Sequence, residues 1–160
     1  MATDQRKPSG NLSLAHFHSE VQVAVDLFEA GFLQEAVRKA AERFINRVAE
    51  KAEREDLVGQ SLVNHVFSAD SPVLVFTEER VSATDRNWHD GYRALASGLS
   101  TGVRNVYTHL DTLPVDEVEA WEWLGFISAM HRRLDRAFQY VPPPADPKEA
   151  ADASDPEDVD

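Results

Sequence analysis

The chain has 160 residues, a net charge of −12, no cysteine, and 42% hydrophobic against 28% charged residues. That length makes one domain with a real core the expectation. The missing thiols exclude a disulfide framework and cysteine-based metal or redox chemistry. No apolar run approaches the roughly 20 residues of a membrane span, and the acidic total argues against a protein that coats nucleic acid through bulk charge.

From the N-terminus, Met1 to Leu14 is polar and lacks an apolar signal core, so no export signal is expected and the expected location is the cytoplasm. Residues 1–13 are read as flexible. His16 and His18 bracket Phe17 near Glu20. Such a His-x-His pair usually has a structural role, no third ligand follows, and no metal or other cofactor is expected.

Four long segments carry helical periodicity. Ser19 to Ala30 places Val21, Ala24, Val25 and Phe28 on one face, and Gly31 is positioned to end it. Phe32 to Ala52 carries the clearest stripe, from Leu33, Ala36, Val37, Ala40 and Ala41 through Phe44, Ile45, Val48, Ala49 and Ala52. Lys39, Arg43, Arg47 and Lys51 recur every four residues on the same helix. With Glu35, Glu42 and Glu50 between them, they read as an ordinary solvated face rather than a phosphate track. Residues 54–83 are less regular. Leu62 to Phe67 fits one or two helical turns, and Val73 to Thr77 predicts a short strand or hairpin near residues 72–78.

The third long helix should start near Thr84, capped by Ser82 or Thr84, and run to Val106. Trp88, Tyr92, Leu95, Leu99 and Val103 mark its predicted core face. Gly91, Ala94, Gly98 and Gly102 line a neighbouring one. Interior glycines cost about 1 kcal/mol each relative to alanine, so a row of them calls for a reason, usually the close approach of another helix. The last helix should span Val115 to Phe138 and is apolar almost all round, as suits a helix serving both a core and a partner. Trp121 and Trp123 on it are expected to pack rather than to stack bases. Pro142 to Asp160 holds seven acids and one lysine behind three consecutive prolines, so residues 141–160 are expected to form a disordered acidic tail. The fold class is all-α: an antiparallel bundle over residues 14–140 with four long helices, paired with a second copy through the last two.

The chemistry-bearing block is Arg104-Asn105-Val106-Tyr107-Thr108-His109, at the end of the third helix. A guanidinium holds phosphate with a fixed fork of donors, and an imidazole passes protons near neutral pH. Together they are the minimum for cutting RNA without a metal. With 12 Arg and 6 His in the chain, about one such spacing arises by chance. On a straight helix the two positions point about 140° apart. A shared site therefore requires the helix to unwind between them or a second subunit to supply one of them. The plainer alternative makes Arg104 an ion-pair partner of Asp111 or Asp116, and His109 a C-terminal cap. Arg132, Arg133 and Arg136 on the last helix form the best remaining cluster for substrate contacts.

Arg104, Asn105 and His109, closing a penultimate helix, resemble the Arg-x4-6-His motif of the HEPN superfamily. A wider stretch is similar to its Ymh-type prokaryotic branch. It comprises Leu14 to Glu20, Leu27 to Val37 (LFEAGFLQEAV), Gly102 to His109 and Ser128 to Asp135 (SAMHRRLD). Val106 stands where that pattern would carry a proline, and Asp111 where a related branch carries a modifiable tyrosine. The resemblance implies a dimeric, metal-independent endoribonuclease of toxin–antitoxin or phage-defence type. RNA would be its substrate, with an antitoxin or defence-system protein as a further partner. His109 would move the proton, Arg104 would stabilise phosphoryl charge, and Asn105 would orient His109 or bind phosphate. The competing expectation is a non-catalytic helical interaction module, antitoxin-like or a scaffold, that binds a partner, a nucleotide or RNA.

Overall fold

The computed structural model describes residues 13–77, 82–109 and 114–141, with nothing described of the His109 side chain. The expected flexible N-terminus and acidic tail fall almost wholly outside these residues, as does Asp111. The all-α expectation holds. After two 3-10 turns at Leu14–His16 and Ser19–Val21 come α1 (Gln22–Glu29), α2 (Leu33–Ala52) and α3 (Gly59–Val66). Strand β1 (Leu74–Val75) follows, then α4 (Ala83–Gly98), a π-helical segment (Leu99–Asn105) and α5 (Val106–His109). Helix α6 (Glu117–Asp135) and strand β2 (Phe138–Gln139) complete the order. Among the described residues no helix is long and apolar enough to cross a membrane.

Helix α2 is central, because its wide apolar stripe can serve several neighbours at once. It packs against α1, α3, α5, α6 and the π segment, and its stripe from Ala36 to Ala52 is buried throughout. Its start is set by a tight turn. Gly31 takes φ +83°, its N–H donates to the Phe28 carbonyl at 3.0 Å, and the Phe32 N–H donates to the Leu27 carbonyl at 2.9 Å. This is the paired helix-ending pattern that a left-handed glycine permits.

The bundle has an aromatic centre. Tyr92 packs against Phe44, Phe67 and Phe76, and its hydroxyl donates to the Met130 carbonyl at 3.0 Å. Burial of that hydroxyl pushes its pKa up. Buried His89 donates from Nε2 to the Leu74 carbonyl at 3.3 Å. The short strand expected near residues 72–78 is present at Leu74–Val75, and it pairs antiparallel with β2, Leu74 opposite Gln139 and Val75 opposite Phe138. Two local expectations are corrected. The last helix stops at Asp135 rather than Phe138. Trp88 and Leu95, expected in the core, are 43% and 50% exposed, while Tyr92, Ala96, Leu99 and Val103 face inward.

Candidate functional site

The helix that carries the Arg–His block begins on a clear cap. The Ser82 hydroxyl accepts from the Asp85 N–H at 3.1 Å and donates to the Asp85 carboxylate at 2.6 Å. It stays α-helical to Gly98, then widens to π over Leu99–Asn105 before returning to α. Such widening is uncommon and concentrates at functional sites. Its local cause is readable. Thr101 donates its hydroxyl to the Ser97 carbonyl at 2.8 Å, competing with the backbone ladder, and Gly98 and Gly102 give that ladder little support. Ser100 is buried here, with an Oγ that finds no partner among the described residues.

The wide turn takes in Arg104 and Asn105, and the backbone returns to α from Val106 to His109. Thr108 donates back to the Arg104 carbonyl at 2.6 Å, four residues earlier. The widening thus runs into the first two residues of the block while the rest is α, and at the regular 100° per residue the two positions lie about 140° apart. Arg104 is half-buried and Asn105 exposed. The Arg104 guanidinium donates to the Asn105 side-chain oxygen at 3.3 Å. Among the described residues Arg104 makes no ion pair. Asp116 instead caps α6, accepting from the Glu119 N–H at 2.8 Å. Between the block's ends, buried Tyr107 donates to Glu119 at 3.2 Å, and Trp123 donates to the same oxygen at 3.3 Å. Burial, then the Glu119 charge, raises the Tyr107 pKa. One carboxylate thus ties the block to the first turn of α6.

The three arginines of α6 are not gathered with the block. Arg132 donates to the His16 carbonyl, Arg133 lies 3.8 Å over the Trp88 ring, and Arg136 is exposed past the helix end. From Glu119 to Arg132 is about 20 Å along the helix axis at 1.5 Å per residue. A single protomer does not present both groups to one phosphate.

Two openings flank the block. Between α4 and α6 runs a mainly apolar groove. It opens as one cavity of about 430 Å³, lined by Leu95, Gly98, Gly102, Trp123 and Phe126, and another of about 310 Å³ that shares Leu95 and Phe126. A Cβ built on Gly91, Gly98 or Gly102 would meet nothing within 4 Å. Among the described residues no helix makes the expected close approach, and the glycine face is open there. On the other side, Tyr107 and Thr108 line a cavity of about 630 Å³ against the α1–α2 turn.

Sequence reasoning missed a second polar constellation. Two members of the stripe expected to be solvated, Arg43 and Arg47, are instead tied to acids outside α2. Arg43 pairs with Glu20 at 2.6 Å and with Glu50 at 2.7 Å, and Arg47 pairs with Asp135 at 2.5 Å. His18 donates from Nε2 to Asp135 at 3.0 Å, while its backbone N–H donates to Ser128 at 2.8 Å. Its ring stacks on fully buried His131. Arg47 donates to His131 Nδ1 at 3.3 Å, and His131 Nε2 has no partner among the described residues. Burial, then the Arg47 and His18 charges, lowers the His131 pKa to about 3. Burial opposes the charge of Asp135, but the bonds from Arg47 and His18 outweigh it, and its carboxyl sits below the usual range. The only local signal was the four-residue spacing of Arg43 from Arg47 and of His131 from Asp135. His16 turns away from His18 to accept from the Ser13 N–H at 3.0 Å. Among the described residues no group of three His, Asp or Glu side chains is placed to hold a metal.

A family model described as "Protein of unknown function (Hypoth_ymh)" matches residues 15–134, from the first turn through most of α6. No curated protein and no solved structure matches.

Proposed function

The chain belongs to the Hypoth_ymh family, whose function is unknown, and from the resemblance of Arg104, Asn105 and His109 to the HEPN motif we propose a HEPN-type endoribonuclease of toxin or phage-defence type that acts as a homodimer without a metal. One observation carries the reading. The chain has 28 acidic residues, and Arg38, Arg43, Arg47, Arg54 and Arg93 are all paired with them. Among the described residues Arg104 makes no ion pair, and although the same holds for Arg132, Arg133 and Arg136, Arg104 alone of these sits in the Arg–His block, beside exposed Asn105 at the end of the π segment. A cation so placed suits a phosphate.

In this reading the substrate 2′-hydroxyl gives its proton to His109 and its oxygen bonds to phosphorus. The P–O5′ bond breaks, and the 5′-oxygen leaves with a proton from the imidazolium or from water. Arg104 holds the non-bridging oxygens as their charge grows, and Asn105 keeps the guanidinium in place. The products end in 2′,3′-cyclic phosphate and 5′-hydroxyl. The 140° offset makes the site composite, with the α4–α6 groove and its open glycine face closing on a second copy.

The test is end-mapped cleavage of total RNA and tRNA in EDTA. Wild type should cut and leave cyclic phosphate. Arg104→Ala and His109→Ala should each lose at least about 100-fold. A second reading rests on the same groove and the acidic total: a non-catalytic module that holds a helical partner protein. A folded dimer that cuts nothing would favour it.

A further inference from the structure

We propose that the cavity between the α1–α2 turn and α5 is a nucleobase subsite, in which Phe32 stacks on a base flanking the phosphate held at Arg104. The proposal rests on the ribonuclease reading for the identity of the polymer, and on the cavity itself for the rest.

Position comes first. The cavity's one wall is Gly31 to Glu35 with Arg38, and its other wall includes Tyr107 and Thr108. Those two residues sit inside the Arg104–His109 block, immediately before His109. Whatever occupies the cavity therefore adjoins the block. Its volume of about 630 Å³ falls within the 300–1,000 Å³ of small-ligand sites.

The chemistry of the wall selects the occupant. Phe32 is 62% exposed, although its backbone is held on both sides. Its N–H donates to the Leu27 carbonyl, and its own carbonyl accepts from the Ala36 N–H at 2.9 Å. A ring fixed at its base and open on its surface loses little freedom when a flat partner covers it, which is what base stacking requires. Arg38 does not make this a second phosphate site. Its guanidinium is bound to Glu35 and lies 3.7 Å from Glu42, and the hydrogen bond from Arg38 holds the Glu35 carboxyl below its usual range. A phosphate here would face a charged carboxylate. An uncharged ring would meet the aromatic face of Phe32.

The test uses the full chain with Phe32→Ala, Phe32→Leu and Phe32→Trp. The probes are the four 3′-mononucleotides and inorganic phosphate, measured by calorimetry, followed by cleavage kinetics on a short RNA. At least one mononucleotide should bind wild type. Phe32→Ala and Phe32→Leu should weaken it about 5–100-fold, and Phe32→Trp should hold or tighten it. Phosphate affinity should not change across the series. In cleavage the loss should fall on KM rather than kcat, with a relaxed base preference beside the cut. Four results would overturn the subsite: no mononucleotide bound, wild-type binding in Phe32→Ala, full rescue by Phe32→Leu, or wild-type base preference and KM in Phe32→Ala. The two readings can fail separately. Phe32-dependent nucleotide binding by a chain that cuts nothing retains the subsite and removes the nuclease. Normal cutting by Phe32→Ala does the reverse.

Discussion

Two regions of this molecule use the same residue types in opposite ways. At the junction of the first turns, α2 and α6, charged groups are paired with one another: Glu20 with Arg43, Arg47 with Asp135, His18 with Asp135. Along the α4–π–α5 edge and the α1–α2 turn, polar and aromatic groups are left partly or wholly open: half-buried Arg104, exposed Asn105, Trp88 and Phe32. The first pattern is what holds a fold. The second adds only the Arg133–Trp88 and Arg104–Asn105 contacts within the protomer, and spare capacity of that kind suits a partner or substrate. The two regions should therefore respond differently to mutation. The ionic cluster should report on stability and the open edge on assembly and activity.

The largest effect should come from the open edge. Leu95 is 50% exposed on the groove, so Leu95→Lys removes little buried area. We expect folded-state stability within about 0.5 kcal/mol of wild type. If the site is composite across a dimer, the same change should abolish dimerisation by light scattering and lower cleavage by at least about 100-fold. Monomers that still cut would show that one chain suffices and would end the composite-site reading.

The ionic cluster should behave in the converse way. Arg47→Ala leaves Asp135 without its closest cation. Removing one partner of a buried pair costs about 3–5 kcal/mol, and because Asp135 is 44% exposed solvent screening reduces this to about 2–3 kcal/mol. Urea titration measures it. The specific activity of the folded fraction should stay within about twofold. A large loss of activity at unchanged stability would move the cluster into the catalytic class.

The contrast also explains what could be read in advance. The α2 stripe was legible because one face carries all its information, and each residue from Ala36 to Ala52 on it is buried. Trp88 and Leu95 were misread because periodicity marks apolar positions without saying whether the same chain covers them. The π segment was invisible to a 3.6-residue pattern. The Arg43 and Arg47 pairings were equally hidden, since Glu20 and Asp135 lie 23 and 88 residues away. The Arg–His block itself was plain. Its relation to the Phe32 cavity was not, because nothing local joins residue 32 to residue 107.

Next in size is a pH effect confined to the cluster. His131 has a folded pKa of about 3 against about 6.5 unfolded. Below pH 6.5 the unfolded chain takes up a proton that the folded one refuses, so stability falls as pH falls, by about 1.4 kcal/mol per unit. The lowered carboxyls of Glu20 and Asp135 act in the same direction at lower pH. Between pH 6.5 and 5 wild type should lose about 2 kcal/mol to His131, and His131→Leu should flatten that slope. An unchanged slope would mean that His131 is protonated in the fold.

The smallest effect tests the boundary between the regions, because Arg133 belongs to α6 but reaches across the groove to Trp88. With Trp88 43% exposed, the cation–π contact should be worth no more than about 1 kcal/mol. Arg133→Met keeps much of the stem and loses the charge, so unfolding should change by that amount or less. RNA affinity then decides its class. A weaker complex, with a salt dependence reduced by about one phosphate contact, would place Arg133 on a substrate path that must cross from one protomer's α6 to the other's α5. That crossing is the only way to bring it near Arg104, given about 20 Å of helix between them in one chain. Unchanged affinity and salt slope would leave Arg133 as a strut holding α4 to α6, and would shorten the RNA path to the block and the Phe32 cavity.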